Sequence, residues 1–156
     1  MSRRSLVRFC SAIFVPAVMA VAVYAATPQE AQKARHEHYE HLGDAFKAVR
    51  DGTRAGSPDW AAVEKAAQTV ADAAVDQQKW FANGTGPEAG KTRALPEIWS
   101  KPEDFTAAQK MFSERAPKLL AAVKAKDAAG AQAAFKEVGG SCKNCHDKFR
   151  SPEENH

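Results

Sequence analysis

Close to the C-terminal end, Cys142, Lys143, Asn144, Cys145 and His146 form a C-x-x-C-H run, followed by Asp147, Lys148, Phe149 and Arg150. On a helix, thiols three positions apart share a face, and a histidine four positions from the first thiol joins them. Two such thiols can bond the two vinyl groups of one porphyrin, while the imidazole reaches the iron from the same side. The run reads as a c-type haem attachment site, with Cys142 and Cys145 as the tethering sulfurs and His146 as the proximal metal ligand. Two other chemistries use similar spacing. A redox dithiol belongs beside a βαβ pattern, and no strand signal accompanies this one. A zinc site needs a fourth ligand, and the chain has no second cysteine pair.

The remainder of the composition fits an exported haem protein. The 156 residues suit one domain. Residues 1–26 read as a cleaved signal peptide: Arg3, Arg4 and Arg8 precede an apolar run from Phe9 to about Val23, and the small residues Ala25 and Ala26 follow Tyr24. A retained membrane anchor is the alternative, disfavoured by the shortness of the run and by Pro16 within it. The whole chain carries 22 Lys+Arg and 19 Asp+Glu. Losing the three leader arginines leaves basic and acidic residues equal, so no nucleic-acid partner is expected. Cys10 leaves with the leader, and residues 27–156 then hold only the two motif cysteines. Export, with no membrane association after cleavage, follows from this reading.

These residues must be positioned by helices. Thr27-Pro28-Gln29-Glu30 is a capping box, and the spacing predicts a helix from about Pro28 to Arg50, ended by Asp51-Gly52. A second helix is expected over about Pro58–Ala82, started by Ser57-Pro58 and ended by Asn83-Gly84. A third is expected over about Pro102–Lys126, with Ser100-Lys101-Pro102-Glu103 as its start and Pro117 as an internal kink. A fourth, about Ala128–Arg150, is capped by Asp127 and carries the motif. Between the second and third, residues 84–100 are irregular, yet Leu95, Ile98 and Trp99 are apolar enough to fold over the core or over the haem edge. The expected architecture is all-α: an antiparallel up-down-up-down four-helix bundle whose alanine-rich stripes leave room for a flat cofactor.

The opposite side of the iron decides the function. Outside the leader the only methionine is Met111, on the third helix. The first helix offers His36, His38 and His41; at about 100° per residue only His38 approaches the apolar stripe, and it is the candidate sixth ligand of a low-spin carrier. Tyr39 sits nearer the stripe's centre, and a neutral phenol is a poor ligand, so an open sixth position is expected. Arg35 lies one turn before it and needs a partner, for which a haem propionate would serve. Arg150, one turn after His146, could orient or screen the proximal side.

Arg35 with Tyr39, Phe46, the Leu95-Pro96-Glu97-Ile98-Trp99 stretch with Phe105, and Val138-Gly139-Gly140-Ser141 leading into the C-x-x-C-H run and on to Arg150 together resemble cytochrome c′, the class II c-type cytochromes. The resemblance implies a four-helix bundle with one covalent haem c per chain, His146 as axial ligand, Tyr39 at the non-ligating distal position, Arg35 near a propionate and Arg150 near the proximal histidine. It further implies high-spin iron, binding of nitric oxide or carbon monoxide, and homodimers through the first two helices. The redox partner stays unidentified. Electron transfer and nitric-oxide capture, detoxification or sensing are both compatible with it, and a haem-free metal-storage or interaction bundle is the rival from another class. No nucleophile–base pair or phosphate loop marks the chain as an enzyme.

Overall fold

The computed structural model describes residues 26–152. Four long helices make the bundle: α1 (Pro28–Arg54), α2 (Trp60–Asp76), α4 (Pro102–Lys124) and α5 (Ala128–Phe149), with one short helix, α3 (Glu97–Ser100), before α4. Helix α1 packs on α2 and α5, and α4 packs on α2 and α5, so each long helix has two principal neighbours around a shared core. Among the described residues no helix is long and apolar enough to cross a membrane. The expected leader lies outside the described residues.

The capping box forms as expected: Glu30 N donates to Thr27 Oγ1 at 3.2 Å, and Thr27 N donates to Glu30 Oε2 at 2.7 Å. Asp127 caps α5 by accepting from Gly130 N at 2.9 Å. Helix α4 begins at Pro102 as expected, while other boundaries differ, each for a local reason. Helix α1 runs through Asp51-Gly52 to Arg54. Gly52 is there for packing, since a Cβ at that position would overlap Cγ2 of Val63 on α2. Helix α2 starts at Trp60, capped by Asp59, whose carboxylate accepts from both Ala61 N and Ala62 N at 3.1 Å, leaving Ser57 and Pro58 outside. It also ends early, tightening at Gln77–Trp80 into a 3₁₀ turn. There the buried Gln77 and Gln109 exchange side-chain-to-carbonyl hydrogen bonds of 3.4 Å. Ser100 belongs to α3 and does not cap α4, which has no side-chain N-cap. Helix α4 continues across Pro117, whose ring is on the exposed face.

Two apolar clusters fill the interior. The larger includes Leu119, Val49, Val70, Val123 and Val138, all fully buried; burying each contributes about 1.5–3 kcal/mol before entropy is subtracted. The smaller gathers Ile98, Phe105, Ala108 and Phe149. Cys142 packs against the first cluster and Cys145 against the second, so the motif sits at their junction.

Candidate haem site

Between the clusters lies a cavity of about 1500 Å³ whose walls include Tyr39, Leu42, Phe46, Phe81, Phe105, Phe112, Cys142, Cys145 and His146. Protein interiors are normally close-packed, with few voids larger than a water molecule. A space this large, walled by aromatics and opened along one side by a C-x-x-C-H run, fits a porphyrin and fits neither a zinc ion nor a disulfide switch. The fit is chemical as well as spatial. Helix geometry puts Cys142, Cys145 and His146 on the same wall, as the spacing predicts. The two cysteine Sγ atoms here are thiols occupying the places of thioether sulfurs. Burial raises both, Cys145 to about 11, so neither is a thiolate at neutral pH. His146 is exposed overall, but one side of it lines the cavity. Partial burial lowers its pKa, and the positive charges of Arg150 and Arg93 lower it further against the opposing Asp147. The imidazole is therefore neutral at pH 7, the form that can ligate a metal.

Arg93 is a residue that sequence reasoning passed over. It reaches this wall from the irregular stretch, donating through Nε at 3.1 Å and Nη2 at 2.7 Å to the carbonyl of Ser151. Leu95 N also donates to Phe149 O at 3.0 Å, and Ser151 N to Arg93 O at 2.8 Å. The segment 93–95 is thus laced to the end of α5. Ile98 continues it by packing into the second cluster and lining the cavity. Both functions considered for this stretch, core packing and covering the cofactor space, are met by Ile98.

On the opposite wall, Tyr39 is half-buried, edge-on to Trp80 with centroids 5.0 Å apart and tilted against Phe81 at 6.1 Å. Burial, first of all, pushes its phenol well above the usual range, and the nearby Cys145 and Cys142 add to this. It remains a neutral phenol. His38 is not on the cavity wall: it is exposed and stacks on Trp80 at 4.8 Å, which corrects its candidacy as sixth ligand. His36, expected well away from the stripe, lines the cavity instead, exposed and 3.3 Å from Glu40. Met111 faces the other side of α5, where its sulfur accepts from Asn144 Nδ2 at 3.4 Å.

Arg35 is buried, lines the cavity, and has its charge held by protein oxygens of the segment after α2. Nη1 donates to Trp80 O and Thr85 Oγ1, and Nη2 to Thr85 O and Thr92 Oγ1, at 2.9–3.3 Å. Its guanidinium lies 4.9 Å from the Phe81 ring centroid and 5.7 Å from that of Trp99. Arg150 lines the cavity beside His146, and its backbone N–H donates to the His146 carbonyl at 3.1 Å.

A helical bundle closed around a space for porphyrin, with both tethering sulfurs on its last helix, defines a class II c-type cytochrome. The family model for cytochrome c′ matches residues 30–150, and the chain belongs to that family. Cytochrome c′ from Alcaligenes xylosoxydans xylosoxydans is 36% identical over 125 residues, covering 80% of this chain and 96% of that protein. The crystal structure of cytochrome c′ from Rubrivivax gelatinosus superposes with a TM-score of 0.74 at 31% identity, covering 80% of this chain and 98% of that one. A nitric oxide complex of a variant of the Alcaligenes xylosoxidans protein gives a TM-score of 0.74 at 30% identity, covering 83% of this chain and 100% of that one. The cofactor is haem c, covalently bound, as in the family.

Proposed function

We propose that the chain is a periplasmic one-electron carrier whose haem c is tethered by Cys142 and Cys145, with His146 as proximal ligand and no protein ligand on the Tyr39 side. The observation that carries this reading is the contrast between the two cavity walls. One holds two sulfurs and a neutral imidazole; the other presents Tyr39, Leu42 and Phe81. Bound haem supplies Fe(III)/Fe(II) chemistry and, where a coordination position is left open, a place for nitric oxide or carbon monoxide.

The residues divide the remaining work. His146 holds the metal from α5. Tyr39 fills space without ligating, because its phenol keeps its proton. Arg35 contributes positive charge behind the loop it holds, and Arg150 with Arg93 places positive charge beside the proximal imidazole. Residues 1–26 act as an export signal. A second reading, nitric-oxide capture as the main role, is favoured by the nitric oxide complex of the structural relative, 30% identical. Pairing of two copies through α1 and α2 is the assembly the family resemblance implies, with Val75 on α2, 67% exposed, as an apolar contact point; sedimentation tests it.

The deciding experiment is the ferric electron paramagnetic resonance spectrum of the haem-loaded protein at neutral pH, with and without nitric oxide. A high-spin signal unaffected by His38→Ala supports the open face. A low-spin signal that disappears in His38→Ala overturns it.

A further inference from the structure

The segment that follows α2 is fastened to α1 by a buried polar latch, and Thr85 is its hub. Thr85 is 3% exposed and Arg35 5%. The Thr85 hydroxyl accepts from Arg35 Nη1 at 3.0 Å while donating to Ala82 O at 2.7 Å. Its carbonyl accepts from Arg35 Nη2 at 2.9 Å and from Gln32 Nε2 at 3.3 Å. Thr92 and the Trp80 carbonyl take the other two N–H bonds of the guanidinium's terminal nitrogens. A buried arginine so fully engaged is expensive to release, since every lost acceptor leaves a desolvated donor.

The latch grips the chain on both sides of a short run, and Trp80 and Phe81 lie within what it holds. These are the two rings that meet Tyr39, at 5.0 and 6.1 Å. His38 stacks on Trp80 at 4.8 Å. The packing around Tyr39 therefore depends on a segment whose polar attachment to α1 runs through Arg35, to Trp80, Thr85 and Thr92, and through Gln32, to the carbonyls of Thr85 and Gly86.

We propose that Thr85, acting through Arg35, is a positioning residue for the Tyr39 wall and sets how readily a small neutral diatomic molecule reaches the haem iron. This rests on the open-face reading given above. Tyr39 alone does not set access; the segment that backs it does.

The test uses haem-loaded protein, with carbon monoxide as probe and Thr85→Val as variant, a near-isosteric change that removes the hydroxyl. Association of carbon monoxide with the ferrous protein should rise at least about fivefold, the change in open population expected from losing even the weaker of the hydroxyl's two hydrogen bonds, to Arg35 and to Ala82. The Soret band of the ligand-free protein should not move, amide exchange over residues 80–92 should quicken, and Thr85→Ser should restore the parent rate. An unchanged association rate with a lowered thermal midpoint would mean the hydroxyl is merely structural, and the proposal fails. If Thr85→Val yields no folded haem protein, Thr92→Val removes one acceptor alone and should raise the rate less; an unchanged rate there overturns the proposal equally. The parent protein separates the two readings. If it is low-spin and refuses carbon monoxide, the open face itself is wrong and the proposal falls with it; if it binds carbon monoxide and the variants bind it no faster, only the latch is wrong.

Discussion

The two walls of the haem cavity are built by different means. The α5 wall is local: Cys142, Cys145 and His146 share a helix face because of their spacing, and any intact helix would align them. The Tyr39 wall is assembled from parts distant in sequence. Tyr39 comes from α1, Trp80 and Phe81 from the segment after α2, and the guanidinium that joins them reaches Thr92 across 57 positions. A helix keeps its register under modest perturbation, whereas a segment fastened across the chain by side-chain hydrogen bonds loosens with each one removed. The attachment wall should therefore behave as a rigid support and the opposite wall as the adjustable part.

The largest expected effect is loss of the attachment. Replacing both Cys142 and Cys145 with alanine should abolish the haem absorbance that survives denaturation, read on a denaturing gel stained for haem. A covalent signal that persists would mean the tether lies elsewhere. Next come the aromatics. Phe149→Ala, at a position 5% exposed beside Phe105 at 5.2 Å, should cost about 3–5 kcal/mol of stability by denaturant titration. Phe81→Ala, half-buried, should cost roughly 1–3 kcal/mol, part of it through the lost Arg35 contact. Equal costs would erase the distinction between the walls.

That distinction also explains what could be read from the sequence. The bundle, the attachment motif and Tyr39's place on the wall follow from period and spacing alone. Arg35 was recognisable as a charge needing a partner, but the partners lie in loop residues Thr85 and Thr92, and no periodicity reports which loop oxygens will face a guanidinium. Arg93 was invisible for the same reason: it acts through a backbone carbonyl at Ser151. His36 lines the cavity and His38 stacks on Trp80, a ring from the segment after α2 whose position no periodicity along α1 reports. Asp51-Gly52 looked like a stop signal because glycine has two uses, and only the neighbouring helix distinguishes them.

Gly52 supplies the next prediction, because it marks a close approach of α1 to α2. Inside an unobstructed helix, Gly→Ala stabilises by about 0.5–1 kcal/mol. Here the new methyl overlaps Val63, and overpacking of that kind costs about 1–3 kcal/mol. The overlap should win, so Gly52→Ala lowers the thermal midpoint. Adding Val63→Ala should recover part of the loss despite removing a buried side chain, a coupling that a double-mutant cycle measures. Stabilisation by Gly52→Ala alone would show that α1 and α2 are free to separate.

The smallest effect is a silence at alkaline pH. Burial holds the Tyr39 phenol above its ordinary pKa of 10.0. A group whose folded pKa is raised favours the folded state while it keeps its proton. Its contribution is complete below pH 10 and is lost only as pH climbs through the higher folded value. Conversion of the cysteines to thioethers removes two of the causes but leaves burial, the first of them. Tyr39 is the one tyrosine in residues 27–156, so a protein cleaved after residue 26 reports on it alone. Ultraviolet difference absorbance near the tyrosinate band should stay flat through pH 10 in the folded protein and rise at the ordinary value once denatured. The ferric spectrum should likewise show no phenolate charge-transfer band over that range, and Tyr39→Phe should match the parent. A phenolate appearing on the iron below pH 10 would make Tyr39 a ligand in waiting and place chemistry on the wall assigned here only to packing and access.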